Sequence, residues 1–293
     1  MHLGIIANTS KKQVIDILPS FLAWLTEKHI DFSLPPELLT HLNLTNYQSF
    51  PSDEIADHSD FILSFGGDGT FLQTARLVAP RPVPIIGVNF GGLGYLAEVQ
   101  YDELPQRIDD LLSGNYKVQT RAMLAVCTNS ADRSETYYGL NDIVVDKGGH
   151  PRAIKLETEL DGEYLNTFHA DGLIISTPTG STGYSLSAGG PITEPGVEGI
   201  IINPICPHML AHRALVVQRR REISITAYSE AGSVNIVVDG QKVVTVESGR
   251  KIDICSAGYE VRIATFSDHT FFELLRNKLQ WKQEFQVNKG EGL

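Results

Sequence analysis

Cysteine is scarce in this chain: Cys127, Cys206 and Cys255 lie 79 and 49 residues apart. An odd, widely spaced set supports no disulfide framework, and no CxxC pair points to zinc. That usage suits a reducing, cytoplasmic setting. Long apolar runs are lacking too. Met1–Ala7 holds only a short one, with no basic segment before it, too little for a secretory signal. Gly172 to Thr193 runs uncharged for 22 residues, but its eight Ser/Thr, five Gly and two Pro make a poor membrane span. Positive charge is also in deficit, the net charge being −11. Nucleic acid and anionic membranes need basic surface, so both are excluded as expected partners. A small phosphorylated ligand needs only local donors and stays open. GxxxxGK[ST], HExxH and GxSxG are all missing, which removes P-loop ATPases and the simplest metalloproteases and α/β-hydrolases.

What is present is ordinary globular material. Apolar residues make up 42% and charged ones 20%, and 293 residues suggest two domains. The first hundred residues alternate strand and helix. Leu3–Ala7, Phe61–Phe65 and Val83–Val88 read as buried strands. Lys11–Lys28, Phe71–Val78 and Asp102–Leu112 read as helices, the first interrupted by Pro19. Strands separated by helices predict a parallel sheet.

From Tyr116 the texture becomes all-β. Expected strands are Val118–Thr128, Thr136–Val145, Ala153–Leu160, Leu173–Ser176, Ile200–Ile202, Ala214–Val217, Glu222–Ala227, Val234–Val238, Lys242–Val246, Lys251–Cys255 and Glu260–Thr265. Turns at Asp161-Gly162 and Asp239-Gly240 punctuate them. Thr270–Lys282 is helical again. The expected architecture is an α/β domain over 1–115, an all-β sandwich over 116–266 and a helical segment over 267–293 that returns to the first domain.

Three segments carry chemistry. Phe65-Gly66-Gly67-Asp68-Gly69-Thr70 follows a buried strand and opens a helix, where bare backbone N–H groups can meet phosphate. A carboxylate there repels phosphate, so Asp68 must bind Mg²⁺, accept a proton from a nucleophilic hydroxyl, or simply cap the helix. Thr177 to Gly190 crowds hydroxyls and amides onto a strand-to-helix loop, and Tyr184 offers a stacking face for a base. Leu140-Asn141-Asp142, after Tyr137-Tyr138, is by itself a turn. Gly92-Leu93-Gly94-Tyr95-Leu96-Ala97 matches a dinucleotide fingerprint, but no helix of the right length follows and no strand places an acid about 20 residues on. Arg219-Arg220-Arg221 reads as a solvated strand edge, and His208 with His212 as structure rather than a metal site.

Together these segments resemble the NAD kinase family. The likeness is carried by Gly66–Thr70, by Asn89–Leu96, by Asn141-Asp142 and by Asp171–Gly190. GGDG alone is shared with 6-phosphofructokinases and lipid kinases. The resemblance implies transfer of a phosphoryl group from ATP, with Mg²⁺ or another divalent metal, to the 2′-hydroxyl of the adenosine ribose of NAD. It implies Asp68 as general base, with Gly69 against the dinucleotide. Asn141 and Asp142 would hold the adenine and the nicotinamide-side ribose, with Asp142 the shorter acid of the family's NE/D pair. Tyr95, Thr182, Gly183, Tyr184, Ser185, Leu186 and Ser187 match positions beside the ligand, Gly183 replacing a frequent alanine. Arg152, His169, Asp171 and Gln241 fall at positions that line the NAD site. A homodimer or homotetramer, with a neighbouring chain completing the site, is also implied. The rival readings are a GGDG-type lipid or sugar kinase and a non-catalytic NAD-binding regulator.

Overall fold

A computed structural model describes residues 1–91, 94–129, 134–209, 211–266 and 270–281. The amino-terminal part is a parallel sheet in the order Gln48–Ser49, Asp31–Leu34, His2–Ala7, Phe61–Gly66, Ile85–Asn89. Its central strands are apolar on both faces because helices cover both. Helices Lys12–Glu27 and Leu104–Leu112 lie over one face, where Leu18, Phe21 and Ile108 join Leu3, Leu63 and Phe65 in one core. Helix Asp68–Val78 covers the other, packing Phe71 and Ala75 on Ile62 and Ile85. Pro19 sits inside the first helix on its exposed side, and the helix continues through it.

This sheet does not stop at the second domain. Strand Lys251–Thr265 meets Ile85 through Ile263 in parallel, while its first half pairs antiparallel with Ile223–Tyr228. Ile154–Leu160 and Glu163–Ala170 extend that edge, and Lys117–Asn129 with Ser134–Gly139 lie on the other side. A second, antiparallel sheet runs Leu215–Gln218, Gly199–Ile205, Gly172–Ser176, Asp142–Asp146, Ser233–Val238, Lys242–Glu247. Inward residues of both sheets, among them Val126, Ile143, Leu156, Ile175, Ile225, Ile236 and Ile254, bury one shared core. This is the face-to-face packing of a sandwich. The fold is therefore a mixed α/β unit joined to a β-sandwich, with a carboxy-terminal helix, Phe271–Lys278. That helix begins with a capping box between Thr270 and Glu273 and buries Leu274 and Leu275.

The structure corrects three expected strands. Thr136–Val145 is two strands, Ser134–Gly139 and Asp142–Asp146, that belong to different sheets. Lys251–Cys255 and Glu260–Thr265 form one strand with a register shift between Ser256 and Glu260. Glu163–Ala170 is an additional strand. Thr270–Lys282 is helical over Phe271–Lys278, and Lys282 lies outside the described residues. The arginine run is not a strand edge: it forms the turn between Leu215–Gln218 and Ile223–Tyr228, where the half-buried Arg219 ties Glu198 to Glu260 and Arg221 pairs with Asp161. No helix among the described residues is long and apolar enough to cross a membrane.

Candidate active site

The glycine loop ends the strand Phe61–Gly66, and Asp68 opens the helix behind it. A carboxylate in the first helical turn is favoured by the helix dipole. Its oxygens, however, are turned to another segment. Oδ2 accepts from the Tyr95 N–H at 3.0 Å, and Oδ1 accepts from the N–H groups of Leu96 at 3.0 Å and Ala97 at 3.1 Å. The approach requires Gly94, where an added Cβ would stand 2.3 Å from Asp68 Oδ1. A carboxylate offers about four lone-pair positions, so at least one remains free of these three bonds. Gly92 and Leu93, from the same sequence segment, lie outside the described residues.

A second carboxylate organises the other half of the site in the same way. Asp239, at the turn between Ser233–Val238 and Lys242–Glu247, has a side chain wholly shielded from solvent. It accepts from the N–H groups of Leu140 at 3.1 Å, Asn141 at 2.8 Å and Asp142 at 3.2 Å. Arg76, from the helix that Asp68 opens, donates to it at 2.6 Å and also donates to Gln241 Oε1. Gln241 Nε2 in turn donates to the Gly69 carbonyl at 2.7 Å. One hydrogen-bonded path therefore runs from the glycine loop through Gln241, Arg76 and Asp239 to Asn141. Neither Arg76 nor Asp239 stood out in the sequence. Arginine in a last helical turn reads as a dipole partner, and Asp-Gly reads as a hairpin turn.

The Ser/Thr/Gly loop closes the site from below. Thr177 Oγ1 donates to the Leu140 carbonyl at 2.6 Å, and Thr177 N–H and Ser176 Oγ donate to that of Asn141 at 2.9 and 3.2 Å. Gly180 lies so close that an added Cβ would meet the Asn141 carbonyl oxygen at 2.1 Å and its carbon at 2.5 Å. We predict that Gly180→Ala displaces Asn141 and weakens ligand binding at this loop by more than about tenfold, since backbone cannot yield as a side chain can. Calorimetric titration of the dinucleotide that the sequence resemblance implies checks this. Unchanged affinity in a folded variant contradicts it.

Asn141, Asp142, Asp146 and Tyr184 line a cavity of about 230 Å³. Asn141 Oδ1 is buried there without a hydrogen-bond partner. Asp142 is 4% exposed. Burial first, and the neighbouring Asp239 second, push its carboxyl pKa up to about 7. The folded state thus binds a proton that the unfolded chain has already released. Stability attributable to Asp142 is full below about pH 4 and is lost as pH rises to about 7, a span of roughly 4 kcal/mol. Asp142→Asn is expected to flatten that part of the stability profile, raising stability at pH 8 relative to the parent. Denaturant unfolding from pH 4 to 8 reads it, and parallel profiles for the two proteins contradict it.

Tyr184 is 48% exposed, with its ring available beside the cavity. Burial, then the carboxylates of Asp146, Asp171 and Asp142, push its hydroxyl upward. Ser185 is held by the Asn203 amide at 3.0 Å, and Leu186 and Ser187 complete the same short helix. Thr182 faces a larger cavity of about 540 Å³, shared with Tyr95, Thr179 and the carboxy-terminal helix. Tyr95 Oη is buried there without a partner, and Lys278 Nζ lies 5.9 Å from its ring. Gly183 lies near the Asn141 amide and the Asp142 carboxylate, which an added Cβ would approach to 3.3 and 3.8 Å. Asp171 is ion-paired to Lys147 at 2.7 Å. His169 is exposed on its strand opposite Lys155. Arg152 is not brought to this cavity: its side chain is 75% exposed and paired with Glu230 at 2.5 Å, beside a separate hollow at His150–Ala153.

Family models for the ATP-NAD kinase N-terminal domain and the ATP-NAD kinase C-terminal domain match residues 3–116 and 140–266. The chain belongs to the ATP-NAD kinase family. It is therefore a phosphotransferase. It is 40% identical over 280 residues to the NAD kinase of Geotalea daltonii, covering 95% of this chain and 98% of that one. With the NAD kinase of Moorella thermoacetica it shares 38% over 279 residues, 95% and 89% of the two chains. Among solved structures, yeast NADH kinase complexed with NADH superposes with a TM-score of 0.86 at 25% identity, covering 99% of this chain and 90% of that one. An NAD kinase from Archaeoglobus fulgidus in complex with ATP gives 0.74 at 26%, covering 96% and 99%.

Proposed function

We propose that this enzyme transfers the terminal phosphoryl group of ATP to the 2′-hydroxyl of the adenosine ribose of NAD, giving NADP, with Asp68 as general base. The observation that carries the acceptor assignment is the cavity at Asn141. Its lining is acidic, through Asp142, Asp146 and Asp239, and it holds a buried acceptor oxygen that lacks a donor. Such a lining suits hydroxyls and an exocyclic amine, which donate, and repels free polyphosphate. Burial raises the Asp142 carboxyl towards its protonated form, in which it can donate to one ribose oxygen as well as accept from another. Tyr184 supplies a face for a ring, and the unpartnered Tyr95 hydroxyl in the adjoining cavity supplies a further polar contact.

At the reacting end, Asp68 Oδ2 or Oδ1 uses its remaining lone pair on the 2′-hydroxyl. It orients that oxygen and takes its proton as the phosphorus–oxygen bond forms and ADP leaves. The loop Tyr95–Ala97 holds the carboxylate in place, which is the positioning that phosphoryl transfer depends on. Among the described residues no three His, Cys, Asp or Glu side chains gather as a metal site. The divalent cation belongs with the triphosphate as part of the substrate, where it offsets phosphate charge. Activity is expected to disappear in excess EDTA and return with Mg²⁺; full turnover in EDTA contradicts this.

The remaining readings on assembly and location follow the family. We infer a homodimer or homotetramer in a reducing cytoplasm, with a neighbouring chain adding to the site, in which the exposed Arg152 and His169 reach a second protomer's ligand. Incubation with NAD, ATP and Mg²⁺, with NADP read by an NADP-specific dehydrogenase, tests the reaction itself. ATP consumption with diacylglycerol or fructose 6-phosphate, but not NAD, would instead identify one of the rival kinases. NAD binding without any turnover would identify a regulator.

A further inference from the structure

The two ends of the proposed reaction sit on different units of the fold. Asp68 opens a helix of the α/β unit, whereas Asn141 and Asp142 stand at the start of a sandwich strand. Phosphoryl transfer depends on how closely these ends are held with respect to each other. Sheet pairing does not set that separation, because Asp142–Asp146 pairs with Gly172–Ser176 and Ser233–Val238, both of its own sheet. A single side chain, Arg76, ties to both ends.

Arg76 stands seven residues after Gly69, about two turns of the helix, so the two share a face. The Gly69 carbonyl points towards the end of the helix, and an arginine side chain leans back towards its start. One amide placed between them meets both, and Gln241 is so placed. Its Nε2 donates to the Gly69 carbonyl at 2.7 Å, and its Oε1 accepts from Arg76 Nη2. The other arm of the guanidinium, Nη1, donates to Asp239 Oδ2 at 2.6 Å. Asp239 is bound to the acceptor segment in both directions. It accepts from the N–H groups of Leu140, Asn141 and Asp142, and its own N–H donates to the Asp142 carbonyl at 3.0 Å. Solvent does not reach the Asp239 side chain and reaches little of Arg76, so water scarcely weakens the pair.

We infer that Arg76 is a positioning residue for phosphoryl transfer: through Asp239 it fixes the segment that holds the acceptor, through Gln241 the glycine loop that carries the base. It thereby sets the separation between the acceptor hydroxyl and Asp68. The planar fork is what the role requires, since a point charge satisfies Asp239 or Gln241 but not both. This inference rests on the proposed reaction.

Initial rates of NADP formation in Arg76→Lys, Gln241→Leu and the double variant test it, with kcat expressed per folded molecule. A displacement of about 1 Å can cost up to about 10²-fold in rate. Both single variants are therefore expected to lower kcat at least about tenfold and to move KM for NAD less than about threefold. Lysine keeps a charge beside Asp239, and Gln241 is exposed, so neither change threatens the fold. The two substitutions cut one link, so the double variant loses little beyond either alone. A merely structural tie would lower the unfolding midpoint and leave kcat per folded molecule within about twofold of the parent, which overturns the inference. A raised KM for NAD with kcat unchanged in Gln241→Leu also overturns it, by making Gln241 a direct contact of the dinucleotide. Losses that multiply in the double variant do the same. A parent that phosphorylates diacylglycerol or fructose 6-phosphate in place of NAD ends the proposed reaction, and the same kcat losses on that acceptor keep the positioning role. A parent that turns over none of these acceptors overturns both.

Discussion

Asp68→Ala is expected to lower kcat by about 10² to 10⁴, the usual worth of a positioned general base, while calorimetry shows NAD bound with an affinity within a few-fold of the parent. Two roles of this side chain must be told apart. Its carboxylate accepts from three successive backbone N–H groups of Tyr95, Leu96 and Ala97, so its loss also releases that loop. Were that release the dominant effect, NAD affinity would fall, through Tyr95 and the cavity it lines, with kcat little changed. Loss of the base acts on turnover. Asp68→Asn sharpens the distinction. It keeps one acceptor oxygen for the loop but turns an NH₂ toward groups that themselves donate, and it cannot take a proton. Both variants losing kcat with NAD affinity retained supports the base. A kcat within a few-fold of the parent makes Asp68 a structural tie for the loop, with the proton acceptor elsewhere.

Arg76→Ala carries the largest expected loss of stability, about 3 kcal/mol. Arg76 links helix Asp68–Val78 of the α/β unit to Asp239 of the sandwich. Removing it leaves a carboxylate that solvent does not reach. Breaking a buried pair from one side commonly costs about 3–5 kcal/mol. The lower end applies here because three backbone N–H groups still hold Asp239. Arg76→Lys should recover only part of the loss, since one ammonium cannot span Asp239 and Gln241 as the planar fork does. In Asp239→Asn the burden of a buried charge is gone, so adding Arg76→Ala to it costs less than Arg76→Ala alone. Denaturant unfolding of the four proteins gives the coupling. Purely additive losses contradict the pairing.

Much of this was legible in the residues because the signals are local. Phe61–Phe65 is an apolar run that only a doubly covered strand explains, and three glycines follow it at once. The sandwich strands announce themselves by alternation, as in Ile154–Leu160, where Ile154, Leu156 and Thr158 are buried in turn. Asn141 and Asp142 were visible only through family likeness. The reason lies in the fold. The chain passes from one sheet to the other at Leu140–Asn141, and neither residue is a glycine or proline that would mark the crossing. What shapes that crossing is Asp239, nearly a hundred residues later, together with Thr177. Long-range partners of this kind leave no period in the sequence. The long strand Lys251–Thr265 was misread for the opposite reason. Its Ser256–Tyr259 segment looks like a turn, yet the strand absorbs it as a bulge.

The central claim is that Asp68 faces the hydroxyl that becomes phosphorylated. Crystals of the enzyme grown with NAD measure this directly. The account predicts the adenosine O2′ within about 2.6–3.2 Å of an Asp68 carboxylate oxygen, with the loop Tyr95–Ala97 still bound to that side chain. A well-ordered NAD whose O2′ lies beyond hydrogen-bond reach of Asp68, including through one water, contradicts it.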